Sequence, residues 1–380
     1  MSKRNLHFLF GLTLAFLSIS TFIIFSFKEL PKSLDGSSPA DFPNYYFAGK
    51  RLFSAEPIYS DLQEDVLKAL GWQYTVYPAD PPSTVLFLSG LSFFDYNLAW
   101  LIFAAFSVVI ALGTSYFVSL KVGYSRPLSL LFSTLTLGSA PFLFLLKRNH
   151  MEMWLVLFAV LGWSLLKHHK PLAGKLMWGI AAALKLFPLL WLFVTVHRNP
   201  GSFFKAVAFT ALLILLSCLA IGLENSLYFV TDVLPRSKQW YGVIGNYSLI
   251  SVAHALEFAL VGWIVAILLG LSVFYAPLWE GPIDDLFVKA ISLSLILSPL
   301  SWINYQVLLL PCLIIVSRYI PFHQTAPRWL FFIIALVIWG WPGEIPLNSI
   351  TLTILFSSMP LVATCGLFYL SHRYINHASR

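Results

Sequence analysis

Apolar runs, many of them about twenty residues long, fill this chain from residue 7 to residue 370 and fix what it can fold into. They cover residues 7–27, 98–120, 127–146, 154–166, 203–223, 253–274, 329–341 and 350–370. Two further runs, 172–196 and 286–316, are each interrupted once. A run of this length matches the hydrocarbon thickness of a bilayer. Only 11% of residues are charged, against about 25% in soluble domains. Mean hydropathy is +0.78. The thirteen Trp and thirty-three Phe fall in nearly every segment, which a soluble core would not need. The expected fold class is an all-α polytopic membrane protein with about eight to eleven membrane helices, some broken or re-entrant, and a large first external loop.

The net charge of +7 carries no signal for nucleic acid. The basic residues sit in short inter-helix loops, where they set topology and meet anionic headgroups. Cys218, Cys312 and Cys365 all lie inside apolar runs without CxxC or Cys/His spacing, as small packing residues do. No metal site and no cofactor is expected. There is no GxxxxGK[ST], no HExxH and no Asp-x-Asp in a cytoplasmic loop, so ATP hydrolysis, zinc chemistry and metal-dependent use of a nucleotide sugar have no support.

Lys3 and Arg4 precede the first run, which is too long for a signal peptide and is followed by Lys28-Glu29-Leu30-Pro31-Lys32. The reading is an uncleaved first helix over 1–27 with its basic N-terminus in the cytoplasm. An external catalytic loop over 28–83, a multi-helix membrane domain over 84–371 and a cytoplasmic tail over 372–380 follow. The loop holds eight of the seventeen acidic residues. Pro31 and Gly36-Ser37-Ser38-Pro39 break it before Asp41, which is placed to N-cap a short helix carrying Tyr45, Tyr46, Ala48, Gly49 and Leu52. A second short helix is expected over 61–70, both lying along the membrane surface with rings at headgroup depth. Residues 83–94 are too short to cross comfortably. Positive-inside counting puts Lys121/Arg126, Lys167–Lys170, Arg198/Lys205, Arg318/Arg328 and Arg373/Arg380 in the cytoplasm, provided that 83–94 does not cross. Residues 147–152, 224–247 and 298–305 then share the side of Asp41.

Charge at membrane depth costs several kcal/mol, so each such group is a functional candidate. Lys185 stands in Ala181-Ala182-Ala183-Leu184-Lys185-Leu186-Phe187-Pro188, where Pro188 breaks the helix. It either snorkels from a helix end or lines a cavity and meets a phosphate. Lys147-Arg148-Asn149-His150-Met151-Glu152 lacks Gly, Pro and Ser, which argues for a helix end or a packed corner. The plainer alternative is a loop with Arg148 paired to Glu152. Ser298-Pro299-Leu300-Ser301-Trp302-Ile303-Asn304-Tyr305-Gln306 offers sugar-binding groups, or simply polar contacts between helices.

Taken in order, the motifs resemble a family. They are Asp41-Phe42-x-x-Tyr45-Tyr46-x-Ala48, Pro57-Ile58-Tyr59, Tyr77-Pro78 and Pro81-Pro82. Arg148-Asn149-x-x-Glu152, Gly179-x-Ala181-Ala182-x-x-Lys185-x-x-Pro188, Asn246-x-Ser248 and Ser298-Pro299-x-Ser301-Trp302 follow. The series is similar to glycosyltransferase family 87, the polyprenyl-phosphate-mannose-dependent mannosyltransferases of the C-type superfamily. That resemblance implies a C-type glycosyltransferase fold and an inverting transfer from a polyprenyl-phosphate sugar to a lipid or glycan acceptor at the external face. It implies an acidic general base at the start of the first external loop, here Asp41, and no metal or nucleotide, since the lipid phosphate is itself the leaving group. One base suffices for such a transfer. Lys185, Arg148 and His150 are the candidates for the donor phosphate. Tyr45, Tyr46, Asp80, Asn149, Glu152, Asn246, His254, Trp302, Asn304 and Tyr305 are the candidates for sugar and acceptor. Asn304 and Tyr305 stand where family members often carry His. Asp80 either helps Asp41, binds acceptor hydroxyls or caps a helix. The expected location is a bacterial inner or plasma membrane, multi-pass, with the active site outside. The competing class is a secondary transporter or lipid flippase, for which helices broken at Lys185 and Pro299 would also serve.

Overall fold

A computed structural model describes residues 3–34, 41–59, 79–243, 245–341, 353–354 and 358–376. Among them there is no strand, only an isolated bridge between Asn246 and Trp302. The expected helix over 61–70 and the Tyr77-Pro78 pair lie outside the described residues. The protein is an all-helical polytopic membrane protein.

Helix α1 (Lys3–Leu34) carries Pro31 in its last turn and outlasts the apolar run. Pro31 has no amide hydrogen to donate to Phe27 O, yet α1 continues for three residues past it, so it does not break the helix as the sequence suggested. Helix α2 (Phe42–Phe53) buries Phe42, Tyr45, Tyr46 and Phe47 against Tyr96 and Phe103. These rings therefore pack inside the helical body. Helix α3 (Pro82–Leu88) runs into a 3-10 turn, Ser89–Phe93. Gly49 lets α2 approach that turn, since a Cβ there would sit 3.0 Å from the Ser89 Cα. Asp95 accepts hydrogen bonds from the Asn97 and Leu98 amides and so caps α4 (Tyr96–Lys121).

Next come α5 (Arg126–Leu137) and α6 (Ala140–Arg148), bent by 51° into one broken span. They are followed by α7 (Glu152–Lys167), α8 (Pro171–Leu184), α9 (Leu189–Phe193) and α10 (Pro200–Ile221). After short helical turns come α11 (Leu249–Ala255), α12 (Ala259–Leu271), α13 (Ile283–Leu297), α14 (Leu309–Tyr319), α15 (Thr325–Gly340) and α16 (Met359–Leu370). Among the described residues α1, α4 and α10 are long and apolar enough to cross a membrane alone, and the bent pair makes a fourth span. Five shorter apolar helices pack among them. Packed inside protein, such pieces need not each span the bilayer unbroken.

Polar side chains gather at two opposite ends of this bundle. At one end the Tyr46 hydroxyl donates to Phe94 O and Thr84 Oγ1 donates to Leu184 O, which ties the 82–94 segment to α2 and to the end of α8. At the other end Lys121 meets His168, Tyr124 meets Ser317, and the Lys175 ammonium donates to Asn199 O. Trp100, Trp163, Trp178 and Trp191 fill the body between, Trp178 donating to Ala159 O and Trp191 to Ser294 Oγ. Cys312 is buried there, whereas Cys365 faces outward, contrary to a packing role for all three cysteines; all are free thiols.

Candidate active site

Arg148 ends α6, and Asn149 then takes φ +51°, a left-handed conformation that asparagine tolerates better than other side-chain-bearing residues. The Asn149 and His150 amides donate back to Leu146 O and Leu145 O, closing the helix, and Glu152 opens α7. This is the packed corner that the missing Gly, Pro and Ser implied. Arg148 and Glu152 do not pair. The corner points them at different partners.

Arg148 faces Asp41. The Asp41 amide donates to Arg148 O at 2.8 Å, and the guanidinium stands 3.8 Å from the Asp41 carboxylate. Asp41 occupies the N-cap position of α2, yet its carboxylate makes no capping hydrogen bond. It remains 30% exposed, so helix capping does not explain this acid. Tyr45, one turn on, sets its ring edge-on to His150 at 5.8 Å. Its hydroxyl is buried without a hydrogen-bond partner among the described residues, in the field of Asp80, Glu152 and Asp41.

Glu152 is wholly buried. His150 Nδ1 and the Asn304 amide both contact its Oε2. Its Oε1 lies 3.8 Å from the Lys185 ammonium. Helix α8 stops at Leu184, one turn before Pro188, and Lys185 is extended. The side chain turns inward, 13% exposed, to within 2.7 Å of Asp80, with the Tyr305 hydroxyl at 3.4 Å. Lys185 therefore does not snorkel. Phe187 stacks on Tyr305 at 5.5 Å, and the Tyr305 ring in turn lies under the ammonium. Asp80 is not a cap either, because Pro81 holds that position on α3. The buried Tyr59 hydroxyl donates to Asp80 O. Burial and the Asp80 charge push that phenol above its usual range, so it stays a donor.

Asp41, Tyr45, Asp80, Arg148, His150, Glu152, Lys185, Asn304 and Tyr305 thus form one polar cluster. The other candidates stand apart from it. Tyr46 spends its hydroxyl on Phe94 O, and Asn149 donates to Trp100 O. The Asn246 amide donates to Pro299 O and Trp240 O, and its oxygen accepts from the Ser248 and Ser301 amides. It staples two loops. Trp302 packs edge-on to Trp240, and His254 is exposed beside Tyr241. Sequence reasoning missed Glu29, which binds Lys32 at 2.8 Å and Lys147 at 2.9 Å and so ties α1 to the corner. It also missed Phe187, although an aromatic between Lys185 and Pro188 was a readable sign.

An uncapped carboxylate beside a guanidinium, backed by a buried lysine and glutamate on broken helices, makes this cluster the candidate active site. The family model of glycosyltransferase family 87 matches residues 77–301, more than half of the chain. The chain belongs to that family and is a membrane glycosyltransferase. No curated protein and no solved structure matches it. Asp41 precedes the matched residues and reaches the site through α2.

Proposed function

We propose that this enzyme moves a hexosyl group, first of all mannosyl, from a polyprenyl-phosphate donor to a lipid or glycan acceptor, with inversion and within a C-type glycosyltransferase fold. The observation that carries the reading is the Asp41 carboxylate, uncapped, partly open and held by Arg148. Asp41 takes the proton of the acceptor hydroxyl as its oxygen bonds to the anomeric carbon. The bond from that carbon to the phosphate oxygen breaks, and polyprenyl phosphate leaves with the electron pair. Arg148, His150 and Lys185 receive the leaving phosphate, which displaces Asp80 from Lys185 as it enters. Tyr45, Asn304 and Tyr305 serve the sugar and the acceptor.

The external face is supported by the end-to-end asymmetry of charge. Lys121, Lys167, Arg198 and Arg318 lie at the end opposite Asp41, where the positive-inside rule places the cytoplasm. The transporter reading has no support from the family. The test is transfer from radiolabelled polyprenyl-phosphate-mannose by purified wild type and Asp41→Asn. Product from the wild type alone is the expected result, and full activity in Asp41→Asn removes the proposed base. A wild type that binds donor without transferring mannose redirects the assay to glucose or arabinose on the same lipid.

A further inference from the structure

A cleft of about 280 Å3 opens at the end of the bundle opposite Asp41, between α8, the turn before α10, and α13. Lys175, Arg198 and His169 line it, with Leu166 and Leu286 as an apolar wall. Lys175 is 1% exposed, and its ammonium donates to Thr195 O at 3.2 Å and Asn199 O at 2.8 Å. Among the described residues no carboxylate lies within ion-pair distance of it. Lys185, at the C-terminal end of the same helix, faces two carboxylates. A buried ammonium left with carbonyl dipoles alone is incompletely compensated.

Arg198 is rooted by one nitrogen on Trp279 O and Gly281 O, and the residue stays more than a third exposed. The acids that act on it are Asp285 and Glu280. Asp285 is closed by Lys289 at 2.7 Å and by Ser371 at 2.6 Å, and Glu280 faces outward. Among the described residues the cleft lining holds no acid.

We infer that this cleft binds a phosphate oxyanion, either that of a phospholipid headgroup or inorganic phosphate. Lys175 and Arg198 donate to the oxyanion, and His169 stands at the mouth. Leu166 and Leu286 accommodate the first methylene groups when the phosphate belongs to a lipid. The site is independent of the transfer chemistry and of the sugar.

The test measures binding of fluorescent phosphatidic acid and of the matching diacylglycerol to the purified full chain in detergent, with inorganic phosphate as competitor. One saturable phosphatidic acid site is expected, with diacylglycerol weaker by roughly tenfold. Arg198→Gln, an exposed change that leaves the core intact, and Lys175→Gln are each expected to weaken phosphatidic acid by roughly tenfold. His169→Asn, which keeps a side chain tolerant of φ +56°, gives a smaller loss. Displacement by millimolar inorganic phosphate identifies the free anion as a sufficient ligand, and its failure identifies the lipid. Equal affinity for the two lipids, or unchanged affinity in both Arg198→Gln and Lys175→Gln, overturns the inference.

Discussion

The two ends of this bundle both bury acids and lysines, yet they treat them differently. At the end away from Asp41, Asp284 accepts from Trp163 at 3.0 Å, from Lys167 at 3.0 and 2.9 Å, and from Tyr319 at 2.7 Å. Its neighbour Asp285 is closed by Lys289 and Ser371, and Lys289 also donates to Leu278 O. Asp284 thus braces α13 against α7 and α14, and Asp285 ties α13 to the turn that follows α16. At the Asp41 end, among the described residues, the counterpart carboxylate has one guanidinium at 3.8 Å, and the Tyr45 hydroxyl has no hydrogen-bond partner. Charge in this bundle therefore separates into two kinds: groups fully spent on the fold, and groups left with bonding capacity.

The strongest way to break this contrast is Asp41→Asn. Transfer is expected to fall by about 10^3-fold, near 4 kcal/mol of barrier, while the denaturation midpoint holds. A lowered midpoint with retained transfer would make Asp41 one more brace. The mirror experiment is Lys289→Met, which strands Asp285. Stability is expected to drop by about 3–5 kcal/mol in denaturant unfolding, with transfer per folded molecule unchanged. Asp80→Asn sharpens the picture within the site. If phosphate must displace Asp80 from Lys185, the variant's donor KM falls by roughly tenfold, about 1.4 kcal/mol, and an increased KM would instead make Asp80 a donor-binding group. Tyr45→Phe should change least. Stability stays within about 0.5 kcal/mol, because the lost hydroxyl had no partner, and only the KM for sugar or acceptor rises.

The bilayer makes the fold class legible, because it demands long apolar runs and punishes stray charge, and both are visible residue by residue. The site was partly legible for the same reason. Lys185 and the 147–152 island stood out against apolar neighbours, and the ordered motifs supplied Asp41. The pairings were not legible. Nothing in the order of residues tells that Lys185 meets Asp80 across the bundle, or that α2 turns its aromatic rings inward, since both follow from how separate helices pack. Lys289 shows the opposite failure. It sits inside the run 286–316, four residues after Asp285, and that i,i+4 spacing was a readable sign of a local pair. Asn246 shows a third case, where a plausible sugar ligand proves to be a staple because all its bonding capacity goes to backbone.

The bend between α5 and α6 has a consequence for how the chain comes to life at the ribosome. Most of α1 faces away from the bundle, with 6% of its apolar window buried. Ser18 is buried, donating to Thr134 O and accepting the Gly138 amide at the bend, where a Cβ on Gly138 would fall 2.9 Å from the Ser18 Cα. During synthesis α1 and Asp41 emerge first, but their clasp does not exist until residue 138 has been inserted, nor the guanidinium partner of Asp41 until residue 148. The first helix must wait in the lipid, unattached, for the later ones to give it a seat.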